Sequence, residues 1–279
     1  MAWWRGVRVA ACTLSQLVVI GAALAQPAAP AAAPRLVRIA SEGARPPFNY
    51  LDQNNELAGF EIDLGHELCR RMAVTCTFVL QDWDGMIPGL EAKHFDAIMA
   101  AMDITDERLQ QIDFSVPYVR MPPAFLANRD SDIHDPSPKG LAGHAIGVAA
   151  GSPEETFLDA VYPDSEIKTY GELDDAILDL SAGRIDAVLG DKDAIVDFLA
   201  TRREAVCCKL MPDIARDPAF FGAGIGVGFR QGDEDLETMF NKAIEATVAD
   251  GTYDKIREKY FDFDIYRGVT APVEVGGKG

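Results

Sequence analysis

The sequence contains little histidine and lacks the compact motifs that hold metal ions or nucleotide phosphates. Four histidines are scattered along the chain, at His66, His94, His134 and His144. They show neither metal-ligand spacing nor a matching serine or cysteine partner. No phosphate-binding loop is present, and the alternating glycines at residues 222–228 fit no dinucleotide-binding pattern. We therefore expect no cofactor, no metal and no nucleophilic catalysis.

Basic residues are also scarce. Lysine and arginine number 26 against 44 aspartates and glutamates, which makes the formal net charge −18 at pH 7. A chain of this charge repels nucleic acid and anionic membrane surfaces. We therefore expect no nucleic-acid partner.

An uncharged run near the amino terminus is too short and too weakly flanked for a membrane-spanning helix. Arg5 and Arg8 precede this run, which covers residues 9–24 and closes with Ala-Leu-Ala. These are the features of a secretory signal peptide, so residues 1–25 predict an exported protein. Lipoprotein cleavage at Cys12 is the weaker alternative, because the apolar core follows that cysteine instead of preceding it.

Cysteine is sparse as well, and four of the five lie beyond the predicted signal peptide. Export makes disulfides possible for them. Cys69 and Cys76 lie across the end of a predicted helix and the start of a strand, a span that one bridge can close. Cys207 and Cys208 are adjacent, which suits neither a relaxed disulfide nor a familiar metal site. Free thiols, a mutual bridge and outside partners all stay open for this second pair.

One phrase occurs twice, about ninety residues apart: residues 93–99 read KHFDAIM and residues 183–189 read GRIDAVL. Each copy follows an amphipathic helical stretch and predicts a turn that leads into a short buried strand, as in a βαβ unit. We therefore predict two similar α/β lobes. Open α/β sheets bind ligands at the carboxyl ends of their strands, so the cleft between the lobes is the expected site.

Proline and glycine mark the segments between these lobes. Residues 26–35 are rich in proline and alanine and predict an exposed linker. Pro122 and Pro123 indicate a change of lobe, and residues 124–127 predict a short crossing strand. The glycines at residues 222–228 alternate with apolar residues, which predicts a strand whose bare face allows close backbone approach.

Residues 59–72, GFEIDLGHELCRRM, resemble the signature of the family 3 solute-binding proteins, which deliver polar amino acids to ABC importers. The segments RPPF, WDGMIP, ITDER, GRIDA, ADGTYDKI and KYFDFD occur around it in the family's order, so the resemblance covers residues 36–267. Within the family the chain is most similar to the branch that binds lysine, arginine, ornithine and histidine.

This resemblance implies an α/β fold, the two-lobed periplasmic binding protein of type II. Each lobe is expected to be a mixed, mainly parallel sheet flanked by helices, and two crossing strands, near residues 120–124 and 221–225, join the lobes. The expected divisions are a signal peptide at 1–25, a linker at 26–35, lobe 1 at 36–121 with 223–267, lobe 2 at 122–222 and a tail at 268–279.

The resemblance also implies a function and partners for the chain. It is expected to be a periplasmic monomer, not an enzyme, whose partners are an amino-acid ligand and an ABC permease of the inner membrane. Proteins of the cationic branch carry a cysteine pair that Cys69 and Cys76 match, so we predict a disulfide between them.

A free amino acid presents a carboxylate, an ammonium and a side chain, each of which needs a partner when it leaves water. The resemblance places the bidentate guanidinium of Arg108 on the carboxylate and Asp191 on the ammonium. Trp83 matches the wall beside the ligand, and Glu42 matches the acid that the cationic branch uses for a distal positive charge. The alternatives are a solvated Arg108 or Glu42, a core Trp83 and a helix-capping Asp191.

Several candidate positions depart from the family's pattern. Arg45 stands where relatives carry an aromatic residue that stacks on the ligand, although a guanidinium can also stack. Asp103 replaces a hydroxyl or small residue, and Ala101 lies where cationic binders carry serine. On the second lobe, Pro153 has no N–H to offer the ligand carboxylate, so that Ser152 is the expected substitute donor.

Acids outnumber bases among the candidates, because Glu154 adds a carboxylate where relatives carry a neutral residue. The site is predicted to contain four carboxylates and two guanidiniums: Glu42, Asp103, Glu154 and Asp191, with Arg45 and Arg108. Unpaired buried carboxylates cost several kcal/mol each. A cationic ligand is therefore favoured, namely arginine, lysine, ornithine, histidine or a related guanidino or opine compound.

Two other functions are compatible with this fold. A few relatives of the fold are periplasmic cyclohexadienyl dehydratases, which hold an anionic substrate and a general acid. The negative cleft argues against that activity. A ligand-sensing partner of a receptor is the third possibility, which no sequence feature excludes.

Overall fold

The structure is a computed structural model that describes residues 1–3 and 35–267. The chain divides into a unit at Met1–Ala33, of which only the first three residues are described, and a unit at Pro34–Gly279. Apart from residues 1–3 and 35, the predicted signal peptide, linker and tail lie outside the described residues. Within those residues, no helix combines the length and the apolar character that a membrane crossing requires.

The regular elements of the second unit follow the predicted alternation of strands and helices. The strands are β1 (Leu36–Ser41), β2 (Ala44–Arg45), β3 (Asn49–Leu51), β4 (Leu57–Ala58), β5 (Thr75–Leu80), β6 (Ala97–Ile98), β7 (Ile112–Phe114), β8 (Pro123–Asn128), β9 (Ala145–Ala149), β10 (Glu166–Tyr170), β11 (Ala187–Asp191), β12 (Cys208–Leu210) and β13 (Gly228–Arg230). The α-helices are α1 (Phe60–Met72), α2 (Met86–Glu91), α3 (Asp106–Leu109), α4 (Pro153–Val161), α5 (Leu173–Ser181), α6 (Lys192–Thr201), α7 (Pro218–Phe221), α8 (Glu234–Ala249) and α9 (Thr252–Arg257).

Two five-stranded sheets with the same internal order form the two lobes. Lobe 1 contains the sheet β5-β1-β6-β13-β7, and lobe 2 contains the sheet β10-β9-β11-β8-β12. In each sheet the fourth strand, β13 or β8, is antiparallel to both neighbours, and the other strands share one direction. The prediction of two similar lobes with mixed, mainly parallel sheets is confirmed.

The reversed strand of each sheet is the one that the chain enters after passing between the lobes. The chain leaves lobe 1 after β7 and enters lobe 2 at β8; it returns after α7 and enters lobe 1 at β13. We call residues 115–122 crossing 1 and residues 222–227 crossing 2. The two crossings meet at isolated bridges that pair Ile225 with Val119 and with Asp103.

Two predictions about the crossings were wrong. Residues 124–127 do not cross between the lobes, because they lie inside β8, where both neighbouring strands bury them. Residues 222–228 do not form one strand, because Gly222 and Gly224 have φ angles of 66° and 112°, which lie outside the β region. The expected close approach is present at Gly224, where a Cβ would collide with the Val119 carbonyl oxygen.

The repeated segment, at residues 93–99 and 183–189, has the same structural role in each lobe. In lobe 1, Asp96 Oδ2 accepts from the Arg38 backbone N–H at 3.0 Å, and the Asp96 N–H donates to the Arg38 carbonyl at 2.8 Å. In lobe 2, Asp186 Oδ2 accepts from the Ala145 N–H at 2.8 Å, and the Asp186 N–H donates to the Ala145 carbonyl at 2.9 Å. The aspartate therefore holds the strand that follows it, β6 or β11, beside β1 or β9, the second strand in the order of each sheet.

A helix with one apolar face covers the lobe 1 sheet beside the site. Phe60, Leu64 and Leu68 recur every fourth residue of α1 and are fully buried. Cys69 in the last turn is bonded to Cys76 in β5, with the two Cα atoms 6.1 Å apart, so the predicted disulfide is confirmed. The sulfur atoms of Cys207 and Cys208 also lie within bonding distance of each other.

Asp96 makes more hydrogen bonds and is more buried than its counterpart Asp186. Its carboxylate also accepts from the Arg38 guanidinium at 3.0 Å, and its side chain is 19% exposed against 46% for Asp186.

We expect Asp96→Ala to lower the free energy of unfolding by about 2–3 kcal/mol and Asp186→Ala by about 1 kcal/mol. Urea unfolding measures both. Asp159→Ala, on the exposed face of α4, is the control, and equal losses at the two repeat positions would contradict this account.

Candidate functional site

A cavity of about 380 Å³ lies between the two lobes and is bordered by both crossings. Cavities of this size accommodate small-molecule ligands. Lobe 1 contributes Arg45 and Asp103 to the lining, and lobe 2 contributes Glu154 and Asp191. These side chains come from loops and strand ends that are far apart in the sequence, so the fold brings them to one place.

Five of the ten candidate residues line this cavity: Arg45, Asp103, Pro153, Glu154 and Asp191. Arg45 ends β2, Asp103 follows β6, Asp191 ends β11, and Pro153 and Glu154 begin the helix that follows β9. This is the position that open α/β sheets use for ligands.

Two further candidates, Trp83 and Arg108, lie against each other. The Thr105 hydroxyl begins α3 by accepting from the Arg108 backbone N–H at 3.3 Å. The Arg108 guanidinium then donates to the Asp103 carbonyl at 2.8 Å and lies 5.3 Å from the centre of the Trp83 ring. A cation–π contact therefore joins the two residues next to the loop that carries Asp103.

Like Trp83 and Arg108, the remaining three candidates, Glu42, Ala101 and Ser152, are not among the described residues that line the cavity. The Ser152 hydroxyl caps α4 by accepting from the Glu155 N–H at 3.2 Å. Ala101 is buried, and its N–H donates to a carboxylate in the core. Glu42 is half-buried in the loop after β1.

Asp191 ends β11 immediately before α6, but its side chain makes no capping bond to that helix. Asp191 is an exposed residue of the cavity lining, and the surrounding protein partly desolvates its carboxylate. This desolvation raises the pKa of Asp191 to about 8, and repulsion from Glu154, Asp193 and Asp103 adds to the shift. A nearby positive charge would stabilise the ionised form of a carboxyl group in this position.

Two more carboxyl groups of lobe 2 share the crowded environment. Burial raises the pKa of Glu154, which is only 7% exposed, and that of Asp193. Asp193 Oδ1 is buried and has no hydrogen-bond partner among the described residues. Such an oxygen favours a cationic partner, because an unpaired buried carboxylate is costly.

The full cavity lining contains four carboxylates and two guanidiniums: Asp103, Glu154, Asp191 and Asp193, with Arg45 and Arg216. Its formal charge is therefore negative by two when every group is ionised. The sequence predicted the same surplus from a partly different set of residues, with Glu42 and Arg108 in place of Asp193 and Arg216.

Sequence reasoning missed both Asp193 and Arg216. Asp193 carries a usable signal, because it stands two residues after Asp191 in the first turn of a helix that begins at a strand end. Arg216 carries none, because it lies in an irregular segment between β12 and α7, and its place in the cavity depends on how crossing 2 folds back.

A buried glutamate beneath the site was also missed. Glu61 in α1 is completely buried and accepts from the Ala101 N–H at 2.7 Å, from the Tyr118 hydroxyl and from Asn49 Nδ2 at 2.6 Å. Burial raises the pKa of Glu61, and the three donors oppose that rise. It lies within the family-like segment at residues 59–72, where its position between the apolar residues Phe60 and Ile62 was the available signal.

Glu61 determines the backbone conformation at a candidate position. Ala101 has a φ of 50°, which lies in the left-handed region that a non-glycine residue seldom adopts. The bond from its N–H to the Glu61 carboxylate holds that conformation. The chain therefore turns sharply after β6, and this turn carries the loop with Asp103 and Arg108 to the cleft.

Known proteins are similar to this chain along most of its length. The profile of the bacterial extracellular solute-binding proteins, family 3, matches residues 37–263. The L-arginine-binding protein of Pseudomonas aeruginosa is 39% identical over 238 residues, which cover 84% of this chain and 91% of that protein. The lysine/arginine/ornithine-binding periplasmic protein of Escherichia coli is 38% identical over 238 residues, 85% of this chain and 91% of that protein.

Two solved structures show the same fold. An ancestral arginine-binding protein bound to arginine has 34% identity and a TM-score of 0.52, and the match covers 81% of this chain and 98% of that protein. The L-cystine solute receptor of Neisseria gonorrhoeae, in the unliganded open conformation, has 26% identity and a TM-score of 0.71 over 83% of this chain and 94% of that protein.

The network around Glu61 leads to a stability prediction. In Glu61→Gln an amide N–H₂ would face Asn49 Nδ2, and Asn49 cannot reverse its amide without losing the Gly43 N–H that its oxygen accepts at 2.8 Å. We expect the free energy of unfolding to fall by about 2 kcal/mol. Glu67→Gln is the control on the same helix, with an expected loss below about 1 kcal/mol, because its arginine partners reach the surface. Equal urea midpoints for the two variants would contradict a special role for Glu61.

Proposed function

The chain belongs to the bacterial extracellular solute-binding proteins, family 3, and we propose that it captures a cationic amino acid between its lobes and delivers it to an ABC importer. The surplus of carboxylates in the cavity carries the proposal. A zwitterionic amino acid would leave that surplus unchanged, whereas arginine, lysine or ornithine brings one more positive charge. The names of the relatives, which specify arginine, lysine and ornithine, support the same ligand class.

Each part of the ligand has a candidate partner. Asp191 binds the α-ammonium, since its carboxylate is open to the cleft and gains most from a positive neighbour. Arg108 binds the carboxylate, because a guanidinium has five N–H donors and the Asp103 carbonyl takes one of them. Glu154 and Asp193 face the remaining positive charge, and Arg45 and Pro153 belong to the wall of the cavity. The other candidates, Glu42, Trp83, Ala101 and Ser152, lie outside that lining.

Capture proceeds by closure of the two lobes about the crossings. The TM-score of 0.71 with an unliganded open receptor, against 0.52 with an arginine-bound protein, supports an open arrangement for the structure described here. In this arrangement Arg108 and Asp191 reach the ligand from opposite lobes only after closure. The exported, monomeric protein then presents its closed form to a permease in the inner membrane, in keeping with periplasmic relatives.

A thermal-shift screen tests the ligand class. We expect arginine, lysine, ornithine or histidine to raise the unfolding midpoint, because a ligand that binds only the folded state stabilises it. Glutamate and glutamine are the matched controls, with equal backbone groups and no extra positive charge. The proposal would be rejected if glutamate raised the unfolding midpoint and none of the cationic amino acids did. In a separate assay, product formation from prephenate or arogenate would indicate a dehydratase activity instead.

Asp191→Asn tests the principal contact. The amide keeps the shape of the carboxylate but loses its charge, so arginine binding should weaken by about 30-fold or more. Isothermal titration calorimetry measures this loss. Asp159→Asn, on the exposed face of α4, should bind like the unaltered protein, and an unchanged affinity in Asp191→Asn would remove that residue from the site.

The crowded carboxyl groups also make binding depend on pH. Asp191 is largely protonated below its pKa of about 8, whereas a cationic ligand binds the ionised form. Arginine affinity should therefore rise between about pH 6 and pH 8, by at most about tenfold per unit, with release of a proton. In the ligand-free protein the sign is opposite: the stability that this group contributes is present below about pH 4 and is lost as the pH rises through about 8.

Calorimetry in two buffers with different ionisation enthalpies measures the released proton. The two buffers should give different apparent enthalpies for arginine binding near pH 7, and the difference should shrink in Asp191→Asn. Identical enthalpies together with an affinity that is flat over this pH interval would contradict the proposed titration.

A further inference from the structure

Arg216 connects the two crossings through its guanidinium. Its Nε donates to the Met121 carbonyl of crossing 1 at 3.2 Å, and one terminal nitrogen donates to the Gly222 carbonyl of crossing 2 at 2.9 Å. The other terminal nitrogen donates to the carbonyl of Phe221, the last residue of α7. One side chain thus contacts three backbone carbonyls on two segments that are a hundred residues apart.

A second connection between the crossings lies on the lobe 1 side of Arg216. The Tyr118 N–H donates to the Ile225 carbonyl at 2.9 Å, and the Ile225 N–H donates to the Val119 carbonyl at 2.8 Å. This connection is made by the backbone alone. The two crossings are therefore held together twice, by backbone bonds at one end and by the Arg216 guanidinium at the other.

The backbone between these two connections is short and contains the residues best suited to rotate. On crossing 1 it comprises Arg120 and Met121, and Pro122 with Pro123 stiffens the chain immediately afterwards. On crossing 2 it comprises residues 222–224, where Gly222 and Gly224 have positive φ angles that favour glycine. A relative rotation of the lobes that preserves both connections has to occur in these few residues.

We propose that Arg216 is a positioning residue for closure, which holds the lobe 2 ends of both crossings together and confines the closing rotation to residues 120–121 and 222–224. This inference rests on the proposed capture of a ligand by lobe closure. It goes beyond ligand contact, because it assigns Arg216 to the path of the motion and not to recognition of the amino acid.

The chemistry of the position requires arginine. A guanidinium is a planar fork that can donate to several carbonyls at once, whereas lysine carries one compact ammonium. The cavity lining around Arg216 includes Asp103, Glu154 and Asp191, so its charge also offsets part of the acidic surplus. The structural role and the charge role can be separated, because lysine keeps the charge and loses the fork.

The test compares Arg216→Lys and Arg216→Met with Arg129→Lys in the full chain. Arg129 is the matched control, because its guanidinium donates to the carbonyls of Val206 and Cys208 at 3.3 and 2.8 Å within lobe 2. Hydrogen exchange of the ligand-free proteins reports on residues 118–125 and 221–226. Calorimetry reports arginine affinity, and the unfolding midpoint verifies folding.

We expect both Arg216 variants to exchange about tenfold faster in these two segments and to bind arginine about tenfold more weakly, the scale of one lost hydrogen bond. Arg129→Lys should leave both values unchanged. If Arg216→Lys matches the unaltered protein and only Arg216→Met weakens binding, Arg216 acts through charge and the proposal is overturned. Unchanged exchange in Arg216→Lys overturns it even if Arg216→Met does not fold.

The exchange measurement separates this inference from the proposed function. It is made without ligand, so faster exchange confined to the two crossings supports the role of Arg216 even if the unaltered protein binds no cationic amino acid. In that case the proposed function fails alone. If the unaltered protein binds arginine but exchange in the crossings is the same in all variants, the role of Arg216 fails alone.

Discussion

Like charges confined in a half-buried space repel one another, and this repulsion organises the molecule around its cleft. Asp103 lies on lobe 1, whereas Glu154, Asp191 and Asp193 lie on lobe 2, so bringing the lobes together increases the repulsion unless a positive charge enters with them. Burial is the largest cause of the upward shifts in the pKa values of the three lobe 2 carboxyl groups, and repulsion from neighbouring carboxylates adds to each shift. An empty cleft therefore favours separation of the lobes, and a cationic guest favours closure.

The rest of the fold keeps these charges in place. Asp96 and Asp186 hold the equivalent strands β6 and β11 beside β1 and β9, which aligns the strand ends where the site forms. Glu61 fixes the unusual backbone of Ala101 and hence the direction of the loop beyond β6. Arg216 connects the crossings on which both lobes turn. Each of these charged side chains makes hydrogen bonds to backbone N–H or carbonyl groups. Charged residues therefore fix the backbone around the site as well as offering contacts to the ligand.

Local patterns were sufficient for much of the architecture. The period of α1 and the repeated Asp-Ala phrase predicted helices, strands and two similar lobes, since these depend on neighbours in the sequence. The crossings were harder. Residues 124–127 form an apolar run that suits a crossing strand or a central strand equally well, and only pairing with β11 and β12 decides between them. The glycines of crossing 2 alternate like a strand, but Gly222 and Gly224 adopt positive φ angles, and Gly224 lies against the Val119 carbonyl of crossing 1.

The sequence by itself determined the family, the acidic character of the cleft and the candidates at strand ends, because signature motifs and net charge survive without coordinates. Tertiary structure alone decided which acids share the cavity. It brought Asp193 and Arg216 to the lining, assigned Ser152 to a helix cap and placed Ala101 in the core above Glu61. The physical reason is that a site between lobes is built from residues far apart in the chain, whose meeting depends on long-range packing that no local spacing encodes.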